Sequence, residues 1–457
     1  MRVPVLKSAR HIHFVGVGGI GMSALALLLK QQGKLVSGSD QMDSELLNSL
    51  RKAGIQVFIG HSTSHAEGAD LVVYSSAVKP GNPERVYAES QSIPEIRRAE
   101  LLGQIADSYE NTLAIAGTHG KTTTTGMVGQ ILIAAGLDPS ILVGGILPDL
   151  KSNLRLGKQQ HIVVEADEYD RSFLALKPTQ IIVTTLEADH LDIYKDLQDV
   201  RDTFLEFISK LADSGQLVLQ GDDSELLQLA NRSPHPVISY GLTNLPDYRA
   251  IDIEINSFTS KFTVVRRGKK LGEIILNMPG DHNVMNALGA GTLAHQMGID
   301  FKHIKAGLES FHGVERRFQL KGSKDGVQFV DDYAHHPSEI EATLLAARSG
   351  WVNSRIIAVF QPHLYSRTKD FAQEFAAALE IADIAILTDI YPARELPIPG
   401  VTSDLILEHG SDKIQLLPHI EDVHKFLSPK LQSNDLVITM GAGDIWKLHG
   451  LFLEGDK

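Results

Sequence analysis

HIHFVGVGGIGMSALALLLKQQ, residues 11–32, runs from strand through turn to helix without a break. Residues 11–17 (HIHFVGV) are apolar and β-branched, as a strand buried on both faces requires. Gly16, Gly18, Gly19 and Gly21 follow at once, and from Met22 the apolar spacing predicts a helix to residue 32. Glycines at such a turn let backbone amides approach a diphosphate at the helix N-terminus. A second strand over 34–38 ends near Asp40, an acid placed to bind a ribose hydroxyl. Alone, this is a dinucleotide fingerprint that opens a hydride-transfer reading with a nicotinamide cofactor. A glycine-rich turn without any ligand is the plain alternative.

The same grammar repeats along the chain. Short apolar runs stand at 71–74 (LVVY), 113–116 (LAIA), 161–164 (HIVV), 180–185 (QIIVTT), 355–360 (RIIAVF), 385–388 (AILT) and 435–440 (DLVITM). Strands of this kind alternating with helical patterns predict an α/β fold of parallel sheets covered on both faces. Residues 248–265 and 270–278 instead alternate like antiparallel strands at the edge of the middle sheet. A chain of 457 residues exceeds what one core usually supports. The polar stretch 107–112 (DSYENT) and the basic, glycine-containing segment 315–326 divide it into three expected domains, 1–107, 108–315 and 316–457.

Composition narrows the function classes. Apolar residues make up 43% and charged residues 22%, ordinary for a folded soluble enzyme. A net charge of -13 disfavours non-specific binding to nucleic acid or to anionic membranes. No cysteine is present, which excludes disulfides, zinc thiolates and a thiol nucleophile. The N-terminus lacks the apolar core of a signal peptide and no apolar run is long enough to span a bilayer, so a cytoplasmic enzyme is expected.

A second loop, AGTHGKT at 116–122, follows the strand at 113–116 and precedes a helix expected over 122–135. Lysine at such a turn reaches the terminal phosphates of a nucleotide, backbone amides cradle them, and the Thr122 hydroxyl is placed to ligate magnesium. Ile115 stands where the full phosphate-loop pattern has its first glycine. Hydride transfer has no use for a triphosphate loop. An ATP enzyme whose other substrate carries a diphosphate needs both loops.

Acidic and histidine groups gather at strand ends. Residues 165–170 (EADEYD) place Glu165 as a magnesium ligand facing the phosphate loop, with Asp167 and Asp170 equally readable as a solvated turn. In the next such group, 187–192 (EADHLD), His190 is either a nitrogen ligand to a second metal or a structural histidine. Asp281 reads as a helix N-cap, while Asn283 and Asn286 have the amides to bond a purine edge. Arg316 suits a transferring phosphoryl group or an exposed salt bridge. The segments 331–337 (DDYAHHP) and 361–368 (QPHLYSRT) mix charged and polar groups suited to a small zwitterion. The glycine turn 441–446 (GAGDIW) is equally an anion site or a plain turn.

Ten motifs in register, GVGGIGMSALA, AGTHGKTTTT, EADEYDRSF, EADHLD, GDHNVMNA, GVERRF, DDYAHHP, FQPHLYSRT, IYPARELPIPG and MGAGDIW, resemble the Mur ligase family from residue 11 to about residue 446. The resemblance implies N- and C-terminal Rossmann-like parallel sheets flanking a central P-loop-type ATP-binding domain. It implies ATP-dependent ligation of L-alanine to the carboxylate of UDP-N-acetylmuramate, with Mg2+, in a monomer or homodimer. It assigns Gly18, Gly19, Ile20, Gly21, Asp40, His61 and Ser75 to the UDP-sugar. Gly117, Thr118, His119, Gly120, Lys121, Thr122, Thr123, His282, Asn283, Asn286, Arg316 and Asp331 fall to ATP. Thr122, Glu165 and His190 fall to metal, and Tyr333, His335 and Arg367 to the amino acid. Lys121, Arg316 and His335 carry the catalytic roles.

Two positions depart from the family. Other members have a carbamylated lysine where Asp202-Thr203-Phe204 stands, and many have arginine at position 364, which is Leu364 here. A ligase attaching a peptide to the same sugar, a non-catalytic UDP-sugar sensor and a nicotinamide-dependent dehydrogenase are the rival readings.

Overall fold

In a computed structural model the structure describes residues 5–188, 193–393 and 395–453. The N-terminal sheet contains β1 (His11–Val15), β2 (Leu35–Asp40), β3 (Gln56–Ile59), β4 (Leu71–Tyr74) and β5 (Glu95–Arg97). Their order is β3-β2-β1-β4-β5, and every neighbouring pair is parallel. The order turns back at β1, so the glycine loop after it opens at the switch point of the sheet, where α/β proteins bind ligands.

Ten strands form the second sheet: β6 (Asn111–Ala116), β7 (Ser140–Leu147), β8 (Ser152–Arg155), β9 (His161–Glu165), β10 (Gln180–Val183), β11 (Gln216–Gln220), β12 (Val237–Gly241), β13 (Tyr248–Asn256), β14 (Thr259–Arg266) and β15 (Lys269–Leu276). The order is β15-β14-β13-β12-β11-β10-β6-β9-β7-β8. The alternating segments after residue 248 thus extend this sheet at its edge, as expected. β6 lies between β10 and β9, so the second loop also opens among parallel strand ends.

The third sheet contains β16 (Gln319–Lys324), β17 (Val327–Asp332), β18 (Ile356–Phe360), β19 (Ile384–Leu387), β20 (Ile414–Leu416) and β21 (Leu436–Met440), in the order β16-β17-β21-β18-β19-β20. Only β16 runs antiparallel. Three parallel-sheet α/β layers, the middle one extended, are the fold the sequence predicted.

By packing, the chain divides into two compact units. One is 1–251 with 264–272 and 285–311, and the other is 252–263 with 273–284 and 312–457. In the first unit, Phe14, Leu25 and Leu28 belong to the same apolar core as Ala114, Val164 and Phe204. Among the described residues no helix is long and apolar enough to cross a membrane.

Candidate active site

Both glycine loops lie in the first unit. After β1, the amides of Gly16 and Val17 donate to the Ser39 carbonyl, each at 2.9 Å. The Gly18 amide donates to Asp40 Oδ2 at 2.7 Å, and a Cβ on Gly18 would meet that same oxygen at 2.7 Å. Asp40, read from the sequence as a ribose ligand, is seen here shaping the loop. Ser75 lies beside Gly16, with its Cβ 3.4 Å from where a Gly16 Cβ would stand. His61 is joined to Ser39 Oγ at 3.2 Å. The helix Ile20–Gln31 begins on this loop, and Asn153 of β8 donates to the Ile20 carbonyl at 2.7 Å. Arg98 Nη1 would lie 3.2 Å from a Cβ on Gly21, so a guanidinium stands over the first turn of that helix. Sequence reasoning missed Arg98.

The second loop turns into the helix Lys121–Ala134 through two left-handed glycines, Gly117 (φ +128) and Gly120 (φ +81). A Cβ on Gly117 would collide with Thr184 Oγ1, and one on Gly120 with Asn286 Oδ1. The Thr118 and His119 amides donate to Thr185, the first to its carbonyl and the second to its hydroxyl. Thr184 Oγ1 donates to the His119 carbonyl, and Thr118 Oγ1 accepts the Glu187 amide at 2.9 Å. Thr123 is buried in the first turn of the helix.

Lys121 Nζ donates to the Gly117 carbonyl at 2.6 Å, the Thr118 carbonyl at 3.0 Å and Glu168 at 2.8 Å. Burial opposes the ammonium, but Glu168, Asp167 and Glu165 outweigh it and raise its pKa. Glu168 is itself buried, which pushes its carboxyl up while Lys121 pulls it down. Glu165 at the end of β9 accepts the Gly144 amide at 2.8 Å. Asp167 pairs with Arg98 and Asp170 with Arg97, each at 3.5 Å, so neither is a merely solvated acid. His190 lies outside the described residues.

The helix Asp281–Gln296 carries His282, Asn283 and Asn286, and Asp281 is its first residue rather than the cap before it. Asn283 Nδ2 donates to the Pro279 carbonyl at 2.7 Å. Burial, helped by Arg317, lowers the pKa of His282 to about 4.

In the second unit Arg316 has a left-handed backbone (φ 61). Its guanidinium donates to Asp331 at 2.9 Å and to the carbonyls of Gly443 (3.2 Å) and Gly441 (2.7 Å). The pair joins a half-buried guanidinium to a buried carboxylate inside one domain, not across an exposed boundary. Gln361 Oε1 accepts the amides of Asp444 (2.9 Å) and Ile445 (3.2 Å). The turn at 441–446 thus spends these amides inside the domain instead of offering them to an anion.

His335 Nδ1 donates to the Tyr333 carbonyl at 2.9 Å. Burial lowers its pKa to about 4, with Glu339 acting against that shift and Arg367 with it. The ring is therefore neutral near pH 7 and presents a lone pair on Nε2. The Tyr333 ring packs edge-on to it at 5.3 Å between centroids, with Arg316 at 5.0 Å from the Tyr333 ring centre. Arg367 is buried in the helix Tyr365–Asp370, and Leu364 before it has φ 73.

The chain matches three family descriptions in order. They are the Mur ligase family catalytic domain over residues 11–110, the Mur ligase middle domain over 115–294, and the Mur ligase, glutamate ligase domain over 316–443. The UDP-N-acetylmuramate–L-alanine ligase of Geobacter sp. (strain M21) is 46% identical over 448 residues, covering 96% of this chain and 95% of that one. The crystal structure of UDP-N-acetylmuramate-alanine ligase MurC from Thermotoga maritima is similar with a TM-score of 0.83 at 30% identity, covering 97% of this chain and 98% of that one. A murein peptide ligase from Psychrobacter arcticus 273-4 gives 0.71 at 27% identity, with 97% and 98% covered. Identity of this degree along nearly the whole length, with three domain descriptions in sequence, has one consequence: the chain belongs to the Mur ligase family.

Proposed function

We propose that this chain uses ATP to join L-alanine to the carboxylate of UDP-N-acetylmuramate, a step that builds a peptidoglycan precursor. The observation that carries the reading is the Lys121 ammonium, fixed by two loop carbonyls and Glu168 in the same unit as the diphosphate-type loop. The named activity of the relatives supports it, and the higher likeness to the alanine ligase (0.83 against 0.71) favours a single amino acid over a peptide.

A carboxylate is a poor acyl donor because oxide would have to leave. Its oxygen attacks the γ-phosphorus of ATP, the bond to the β-phosphate oxygen breaks, and ADP departs. The neutral amine of L-alanine then adds to the acyl carbon, and the tetrahedral intermediate expels phosphate as the amide forms and the nitrogen loses its proton. Lys121 leaves its loop carbonyls to meet the phosphoryl oxygens, where a fixed cation stabilises developing charge. Thr122 and Glu165 offer oxygen donors, which fit a hard cation such as Mg2+. Such a cation, when bound, neutralises phosphate charge. Gly18, Gly19, Ile20, Gly21, Asp40, His61 and Ser75 hold the UDP-sugar. Gly117 to Thr123, His282, Asn283, Asn286, Arg316 and Asp331 serve ATP, with Arg316 acting through its bond to Asp331. Tyr333, His335 and Arg367 take the amino acid. His335, neutral and with Nε2 as acceptor, orients the incoming nitrogen; a pKa of about 4 makes it a weak base.

The test is phosphate release with ATP, UDP-N-acetylmuramate and L-alanine, repeated with L-serine or glycine and with hydroxylamine as the trap. Release should require the sugar, alanine should exceed the other two, and hydroxylamine should yield a hydroxamate. Ligation without any hydroxamate sinks the acyl phosphate. NAD(P)H turnover without ATP hydrolysis sinks the ligase reading altogether.

A further inference from the structure

Glu84 is wholly buried, yet no step above uses it. It sits in the first turn of the helix Pro83–Ser90, behind the Asn82 cap. An acid in the first turn of a helix is favoured by the helix dipole while it stays in solvent. Instead its two oxygens collect groups from two neighbouring strands and from the segment that follows a third. His13 of β1 donates through Nε2 at 3.4 Å, and Ser39 of β2 through its hydroxyl at 2.5 Å. From the segment after β3, the Ser62 amide donates at 3.3 Å and His65 Nδ1 at 3.0 Å. His61 Nδ1 lies at 3.4 Å. The Phe58 ring stacks on His65 with centroids 4.2 Å apart, which fixes that imidazole from its other side. A buried carboxylate is costly unless hydrogen-bonded in this way. Burial alone would push its pKa up, but the bonds from His13, Ser39 and His65 hold it at about 2.

The tie does not stop at the core. Ser39, whose hydroxyl Glu84 holds, offers its carbonyl to the Gly16 and Val17 amides. The next residue, Asp40, takes the Gly18 amide on its side chain and the Gly60 amide, at 2.8 Å, on its carbonyl. Ser39 Oγ also meets the ring of His61. One carboxylate therefore sets the end of β2, the glycine loop that hangs from it and the imidazole beside them.

We infer that Glu84 is a positioning residue of the UDP-sugar site, holding the glycine loop and His61 in register through Ser39. This rests on the functional reading above. It acts on the sugar nucleotide alone, because its partners all belong to the N-terminal sheet and its loops.

The experiment is steady-state kinetics of Glu84→Gln, which keeps the shape and removes the charge, beside wild type and Ser39→Ala. The KM for UDP-N-acetylmuramate should rise about tenfold in Glu84→Gln, the loss expected when buried donors lose a charged acceptor. The KM values for ATP and L-alanine, and kcat at saturating sugar, should stay within about twofold of wild type, the scale of a change that leaves transition-state contacts intact. Ser39→Ala should raise the same KM in the same direction, and the double variant should add little to either single one. A purely structural role would lower the melting temperature without this split. An unchanged sugar KM in Glu84→Gln, or parallel losses for all three substrates, overturns the inference. If Glu84→Gln does not fold, Ser39→Ala decides by the same criterion. Wild-type protein that releases no phosphate with the sugar overturns the functional reading, and the inference falls with it. Wild-type turnover with an unmoved variant KM overturns the inference alone.

Discussion

On the proposed reading Lys121 answers to two demands, since the loop must hold a buried ammonium on its own and release it to phosphate when loaded. Glu168 meets the first demand, with its side chain 4% exposed against 12% for the lysine. Replacing Lys121 by alanine should cut turnover by about 10²–10³-fold, the scale of losing one fixed donor to a developing charge. It should also destabilise the fold by roughly 3 kcal/mol, because Glu168 would be left buried without its cation. The double variant Lys121→Ala/Glu168→Gln should recover most of the melting temperature and none of the activity. Thermal unfolding and phosphate release measured on the same preparations check both halves, and a double variant no more stable than the single one refutes the pairing. The lysine was legible in the sequence because its chemistry depends on immediate neighbours, a strand before it and a helix after. Glu168 was not. It is one of four acids in residues 165–170, and nothing in their spacing says which one turns inward to the lysine.

At the scale of the element, a strand, a glycine turn and a helix are contiguous, so both loops could be read before any tertiary contact was known. Helix starts fell one or two residues earlier than the apolar spacing suggested, at Ile20 and Lys121, because the last loop residues already belong to the first turn. What the element needs from its glycines is steric. Gly120 combines φ +81 with an Asn286 oxygen in the path of any added Cβ. Gly120→Ala should therefore move either the loop or the helix carrying Asn286, at a backbone cost of about 1–2 kcal/mol in the left-handed region alone. The expected result is a KM for ATP raised about 5- to 30-fold, the equivalent of that energy, with the UDP-sugar KM unaffected. Titration of both substrates would show it, and equal changes in the two would argue that the loops are not separate binding elements. Ties such as Arg98 over Gly21 and Glu84 under Ser39 escaped the sequence because their partners lie far along the chain, brought together only by sheet order.

For the whole molecule, the alternation of strand and helix announced the α/β fold, while the burial of its ionisable groups emerged only with the packing. In the second unit His282, His335 and His449 all have pKa values lowered to about 4, with burial the largest cause in each. Their ordinary value is 6.5, so in the unfolded chain they take up protons over a range in which the folded chain refuses them. The stability they contribute is complete above pH 6.5 and is lost as pH falls towards 4. Asp332, pushed up to about 6 by burial, runs the other way, because the folded state binds its proton first. Three groups against one leave a net loss on acidification. In the first unit burial also lowers His161 and His295, but Glu168, pushed up to about 7, and Asp223, also raised, act against them. Glu84, at about 2 against an ordinary 4.5, keeps its contribution until the pH drops below 4.5. The second unit should therefore loosen first between pH 6.5 and 4.5. Both tryptophans, Trp351 and Trp446, lie in that unit, so fluorescence excited selectively at tryptophan reports on it alone. Melting followed by tryptophan fluorescence should fall from about pH 7.5 to about pH 5, either side of the ordinary histidine value, and His449→Gln should flatten the fall, since a neutral amide at that position has no proton to refuse. His449 suits the test because it is buried against Thr439, at 2.7 Å from its hydroxyl, and away from the residues proposed for ATP, metal and amino acid except through Asp331. If wild type and His449→Gln lost the same number of degrees over that interval, the acid limb would have to come from groups other than these buried rings.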